Sequence, residues 1–274
     1  MRIHVNHATV YRYDPPALGA IQILRLTPRN HDGQYVMSWR IDVSESCRLQ
    51  AHEDAFGNLT HTFAIDGPLT ELRVTVEGEV ETQDVSGVLR GTVERFPPSL
   101  YLRDTDLTGS DEAIRGFAAQ AVAGATDPLS RPHLLMAALH EALDYDKDPT
   151  HTSTTAVEAF QLKRGVCQDF AHVFVAGARA LGIPARYVSG YLMNADPAAP
   201  QEAGHAWAEA YVPDYGWIAF DPANNLCATD AYVRVAVGLD YIGAAPVRGN
   251  RYGGGEESLT VAIAVDQSSR QIQG

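Results

Sequence analysis

Between residues 167 and 181 the apolar side chains Phe170, Val173, Phe174, Ala178 and Leu181 recur at the 3.6-residue period of a helix with one buried face. Gly182 stands where such a helix accepts a left-handed residue, and Pro184 cannot continue it. Further on the period changes to two. Ala206, Ala208, Ala210 and Val212 alternate with Trp207, Glu209 and Tyr211, and GWIAFD (216–221) follows the turn-forming Pro213-Asp214-Tyr215-Gly216. The chain therefore has to accommodate a one-faced helix and a β-hairpin close together in sequence.

Residues 1–96 read as a β-rich domain. HVNHATVYRYD, VMSWRIDVSE and TELRVTVEGEVET carry strand alternation, and Gly57-Asn58 in DAFGNLTHTFAI marks a hairpin turn. Pro97-Pro98 opens a linker over 97–109, because proline stops both helix and ladder. The remainder, 110–274, forms a second domain. Its first helix starts with Ser110 as N-cap, a second carries Leu134, Leu135, Ala138, Leu139, Ala142 and Leu143 on one face, and a third ends near Gly165. The glycines of RGNRYGGGEES (248–258) predict a loop, and SLTVAIAV (258–265) a last strand.

The net charge of −13 disfavours phosphate backbones, so nucleic acid is not an expected partner. No apolar run is long enough to span a bilayer, and MRIHVNHATVYRYDPP contains no apolar leader core, so no membrane association is expected. The three cysteines, Cys47, Cys167 and Cys227, are too few and uneven for a disulfide framework. They suit a reducing compartment, which makes the cytoplasm the expected location.

Cys167 opens the periodic helix. There the first N–H groups are unpaired and the dipole is positive, which favours thiolate over thiol and offers donors to a developing oxyanion. Gly165 lets the preceding loop approach a ligand closely. His205 opens one strand of the hairpin and Asp221 closes the other, so the two lie side by side in an antiparallel pair. Parity sharpens this. They share a face only if paired residue numbers sum to an even value. A sum of 426 leaves 211–215 as the loop and a sum of 428 leaves 213–215, so an odd loop or a compensating bulge is predicted. Each of the three residues alone has a bland reading: a small buried thiol, a strand-start histidine, a turn former before proline. Together Cys167, His205 and Asp221 suit nucleophilic catalysis, with the histidine as base and the aspartate as its orienter. With Cys167 the one cysteine in these blocks, a closed zinc site is too thinly supplied, and no cofactor is called for.

RGVCQDFAHVFVAGARALGIPARYVSGYL followed by GHAWAEAYVPDYGWIAFDPANN resembles the transglutaminase-like superfamily. VYRYDPP, DAFGN and VAVGLDYIGAAPVRG resemble its bacterial branch, which has a β-rich N-terminal region. The resemblance implies an α+β, papain-like core in which a cysteine-bearing helix packs on an antiparallel sheet. It places the family's catalytic residues at Cys167, His205 and Asp221. It also implies thioester chemistry on a peptide or protein amide, ended by water in a peptidase or by an amine in an acyltransferase. Three features depart from the pattern. The tryptophan that tissue-type transglutaminases place upstream of the cysteine as an oxyanion donor has no counterpart, leaving the Cys167 N–H with Gln168 or Tyr145 as candidate partners. Leu239, Gly243 and Ala244 stand where arginine, aspartate and valine are expected. No run of carboxylates resembles a calcium loop, so calcium activation is not expected. Asp169 and His172 read as structural. Trp207, Tyr211, Asp240 and Tyr241 are candidates to line the cleft, and Asn224-Asn225 to shape a turn.

Overall fold

The computed structural model describes residues 1–148, 150–193 and 204–267. In chain order the elements are β1 Arg2–Thr27, β2 Gln34–Val43, β3 Gln50–Glu53, β4 Leu59–Thr82, β5 Val88–Leu89, a 3-10 turn Pro98–Leu102, α1 Glu112–Ala121, α2 Ser130–Ala142, β6 Asp144–Tyr145, α3 Ala156–Leu162, β7 Arg164–Gly165, α4 Cys167–Ala180, β8 Ala185–Leu192, β9 His205–Val212, β10 Gly216–Asp221, β11 Leu226–Cys227, β12 Tyr232–Gly238, α5 Tyr241–Ala244, β13 Val247–Gly253 and β14 Glu256–Gln267. Among the described residues no helix is long and apolar enough to cross a membrane.

Two antiparallel sheets dominate. The first runs β13-β1-β4-β2, with β14 also on β1 and β3 on β4. The long strands β1 and β4 bury alternate residues, among them Ile3, Val5, Leu24, Leu72, Val74 and Val80, as period-two patterning requires. Their ladder breaks between Arg12 and Ala17, where Pro15 and Pro16 have no N–H to donate. Residues 248–258, expected as a loop, lie in the β13–β14 hairpin: only Gly254 and Gly255 fall between the strands, and both strands pair with β1. The first sheet is thus built from both ends of the chain. Residues 268–274 of the expected 110–274 domain lie outside the described residues.

The second sheet runs β11-β10-β9-β8-β12, with β5 on β10. Helix α4 packs on β8 and β9, and α1, α2 and α3 gather round it. Phe170, Val173, Phe174 and Ala178 from α4, with Leu135 and Leu139 from α2, bury themselves against Ala208, Ala210, Ile218 and Phe220 of the sheet. This is the mixed helix-and-sheet, papain-like arrangement expected. The N-cap of α1 is Asp111, whose side chain accepts from Ile114 N–H at 2.8 Å, rather than the neighbouring Ser110.

The segment 97–109 is tied down between the lobes. Buried Arg179 of α4 donates to the carbonyls of Tyr101, Ala185 and Leu239 and to Thr108 Oγ1. The sheets meet through an apolar cluster in which Ile3, Val5 and Val80 pack with Tyr187, Tyr191, Val233 and Val235, and two side-chain amides bridge them as well. Asn58 exchanges 2.8 Å hydrogen bonds with both the N–H and the carbonyl of Val237 on β12. Gln34 does the same with Arg234, at 2.8 and 2.9 Å. Strand β12 is the edge of its sheet, so these amides cover backbone groups that no neighbouring strand satisfies.

Candidate active site

Helix α4 begins at Cys167, as its periodicity predicts, and Gly182 follows it with φ of 74°. Asp169 fixes the helix entry. Its Oδ2 accepts from Val166 N–H at 2.8 Å and from Thr150 Oγ1 at 2.8 Å. A Cβ at Gly165 would stand 2.5 Å from that oxygen. Glycine is needed here to let Asp169 fold back under the loop, whereas the sequence suggested a close approach to ligand. Asp169 is buried, and burial raises its carboxyl above the ordinary range, against the opposing hydrogen bonds.

The hairpin has the predicted parity. Gly216 pairs with Val212, Trp217 with Tyr211 and Phe220 with Ala208, a constant sum of 428 that leaves 213–215 as the loop. Asp214 at φ 69° and Gly216 at φ 85° make the turn. His205 and Asp221 consequently share a face as diagonal neighbours, and His205 Nε2 donates to Asp221 Oδ2 at 2.6 Å. Asp221 is fully buried. Its Oδ2 also accepts from Tyr232 Oη at 2.7 Å and Asn224 Nδ2 at 2.8 Å. Its Oδ1 accepts from the N–H groups of Ala223 at 3.0 Å and Asn224 at 3.2 Å. Burial works against the carboxylate charge, but the donors outweigh it and hold the carboxyl below its usual range.

Cys167 is a further polar neighbour of the imidazole. Burial disfavours charge on the ring. Asp221, and after it the Cys167 sulfur, more than compensate, lifting His205 from its ordinary value to about 10. With Nε2 committed to Asp221, Nδ1 is the nitrogen left to exchange a proton with sulfur. The ring is stacked on Trp207 at 6.1 Å between centroids and tilted against Tyr232 at 5.8 Å. The arrangement can therefore hold an imidazolium beside a sulfur at a helix N-terminus. Among the described residues no group of three or more His, Cys, Asp or Glu could hold a metal ion.

Comparison with known proteins places these elements. Residues 115–222 match the transglutaminase-like superfamily, and residues 3–81 match the bacterial transglutaminase-like N-terminal region. An uncharacterised protein of Mycobacterium leprae is 32% identical over 279 residues, covering 96% of this chain and 98% of that one. The chain belongs to the transglutaminase-like superfamily. A protein-glutamine gamma-glutamyltransferase of Pseudomonas aeruginosa is 32% identical to this transglutaminase-like chain over 146 residues, 46% of this chain and 21% of that protein. A crystal structure of a candidate cysteine protease from Cytophaga hutchinsonii superposes with a TM-score of 0.79 at 20% identity, covering 100% of this chain and 92% of that one, and so shares its fold.

The other residues singled out in the transglutaminase-like sequence take varied places. His172 is buried, its ring packs on Tyr187 at 5.0 Å between centroids, and its Nε2 accepts from Tyr241 N–H at 3.1 Å. Burial lowers it to about 4, so it is a neutral structural ring. Asp240 caps α5, accepting from Gly243 N–H at 3.1 Å. Tyr241 packs edge-on against Tyr187, and Tyr211 packs on Trp217 away from His205. All three cysteines are free, with Cys47 and Cys227 packed beside apolar clusters. Sequence reasoning missed Tyr187, whose hydroxyl is pushed well up by burial and then by the charge of Cys167, and Tyr232. Tyr232 reaches Asp221 from a different strand, so no local spacing reveals it. Asn224 was visible as a turn former, but the Asx turn is made by Asp221 and carries Asn224 Nδ2 to its carboxylate.

Proposed function

We propose that the protein is a thiol-dependent amide hydrolase or acyltransferase in which Cys167 is the nucleophile, His205 the acid-base group and Asp221 its orienter. The observation that carries this reading is the His205 imidazole held at 2.6 Å from buried Asp221, with the Cys167 sulfur as a further polar neighbour. Superfamily membership and the Pseudomonas glutamyltransferase point to peptide or protein amides as substrate. The sulfur attacks the amide carbonyl carbon, and the thiol proton resides on His205. The tetrahedral adduct expels the amine, which takes that proton, and leaves a thioester on Cys167. Water or a primary amine then attacks the thioester, giving up a proton to His205. The products are an acid or a new amide, and the thiol is restored.

The test compares wild type with Cys167→Ala on a peptide library and on glutamine-bearing peptides, with and without a primary amine. Product masses distinguish hydrolysis from amine incorporation. Turnover confined to the wild type supports the reading; equal turnover by the variant removes Cys167 from the chemistry and leaves a scaffold with a transglutaminase-like fold.

A further inference from the structure

In the proposed thiol chemistry, on which the role of Tyr145 rests, acyl transfer to Cys167 develops negative charge on the carbonyl oxygen. Helix geometry leaves the Cys167 N–H at the start of α4 without an intrahelical partner, free to serve as the first oxyanion donor. A second donor has to come from another element. Gln168 Nε2 is committed to Thr152 O at 3.3 Å, and Trp39 Nε1 to Leu26 O at 2.9 Å. Trp207 is 1% exposed beneath the His205 ring, which closes its indole N–H to a substrate carbonyl.

Tyr145 differs from all of these. Strand β6 runs parallel to β7 with Tyr145 opposite Gly165, two residues before the nucleophile, and Asp146 N–H locks the pair by donating to Gly165 O at 2.9 Å. The Tyr145 ring leans on Phe170 in the first turn of α4, at 6.4 Å between centroids. The side chain is 56% exposed, and its hydroxyl lies close enough to Cys167 and Asp221 to feel their charges. Partial burial, then the negative charges of Cys167, Asp221 and Asp169, raise its hydroxyl to about 12, which keeps the proton in place at working pH. We propose that the Tyr145 hydroxyl is the second oxyanion donor, facing the start of α4 across the substrate carbonyl. It stabilises the tetrahedral adduct when the carbonyl π pair moves onto oxygen, and takes no part in forming the nucleophile.

That division of labour is testable without knowing the natural substrate. Iodoacetamide alkylates sulfur by displacement of iodide and forms no oxyanion. p-Nitrophenyl acetate acylates sulfur through a tetrahedral adduct that expels p-nitrophenolate. Both rates are measured for wild type, Tyr145→Phe and Cys167→Ala. The expected result for Tyr145→Phe is acetylation of Cys167 slowed by about tenfold or more, with alkylation within about twofold of wild type. Unchanged acetylation, or equal slowing of both reactions, overturns the assignment while leaving Cys167 as nucleophile. If Cys167→Ala reacts like wild type with both reagents, the underlying thiol chemistry fails instead. Circular dichroism of Tyr145→Phe, which lacks only an exposed hydroxyl, checks that the fold is retained.

Discussion

Asp221 determines what His205 can do. It is buried beneath the ring and receives five hydrogen bonds, from His205, Tyr232, Ala223 and two from Asn224. Asp221→Asn keeps the shape and removes the charge, so His205 falls back from about 10 toward its ordinary value. The expected outcome is a loss of turnover of about 10³-fold or more, with the alkaline limb of the pH–rate profile displaced downward. The stability linkage has a definite sign. A histidine raised in the folded state contributes fully below its unfolded value near 6.5, and the contribution is lost as pH rises through about 10. Tyr232→Phe strips one donor from a buried carboxylate and is expected to cost roughly 1.5–3 kcal/mol in urea unfolding. Cys167, His205 and Asp221 were legible in the sequence because each stands at the end of a patterned element. Tyr232 was not, because its contact depends on how β12 lies in the sheet.

At the level of elements, the register of β9 with β10 decides whether a hairpin brings its carboxylate to its histidine. The paired sum of 428 puts His205 and Asp221 on one face, and a slip of one residue would separate them. The need for an odd loop followed from requiring His205 and Asp221 to share a face, but the choice between sums of 426 and 428 did not. The start of α4 was readable too, though not the reason for its glycine. Gly165→Ala drives a methyl group against Asp169 and is expected to cost about 1–3 kcal/mol in thermal unfolding, and to slow alkylation of Cys167 as the helix entry shifts. The expected cap Ser110 and the observed cap Asp111 are adjacent residues of equal aptitude, so propensity alone could not choose between them. Residues 248–258 departed from expectation for another reason: only pairing with β1, far away in sequence, makes strands of a glycine-rich stretch.

Across the whole molecule, the apolar cluster that joins the sheets is supplemented by polar contacts that no local pattern announces. Asn58→Ala leaves both polar groups of Val237 unpaired at a buried edge, and a loss of roughly 2–4 kcal/mol is expected in denaturant melts. Near this seam Glu209, fully buried, bonds Arg186 and Arg234 at 2.6 Å each. Burial opposes its charge, but the two arginines win and lower it to about 2. Its contribution is therefore present above its unfolded value near 4.5 and lost as pH falls through about 2, so Glu209→Gln should flatten the acid limb of the stability curve. The proposed chemistry turns on the His205 imidazole, and its protonation state can be observed directly. Imidazole nitrogen chemical shifts, with His205 assigned by loss of its signal in His205→Gln, should show a doubly protonated ring at pH 7 that titrates near 10, and at lower pH in Asp221→Asn. A His205 ring that is neutral at pH 7 and titrates like a free histidine would contradict the account.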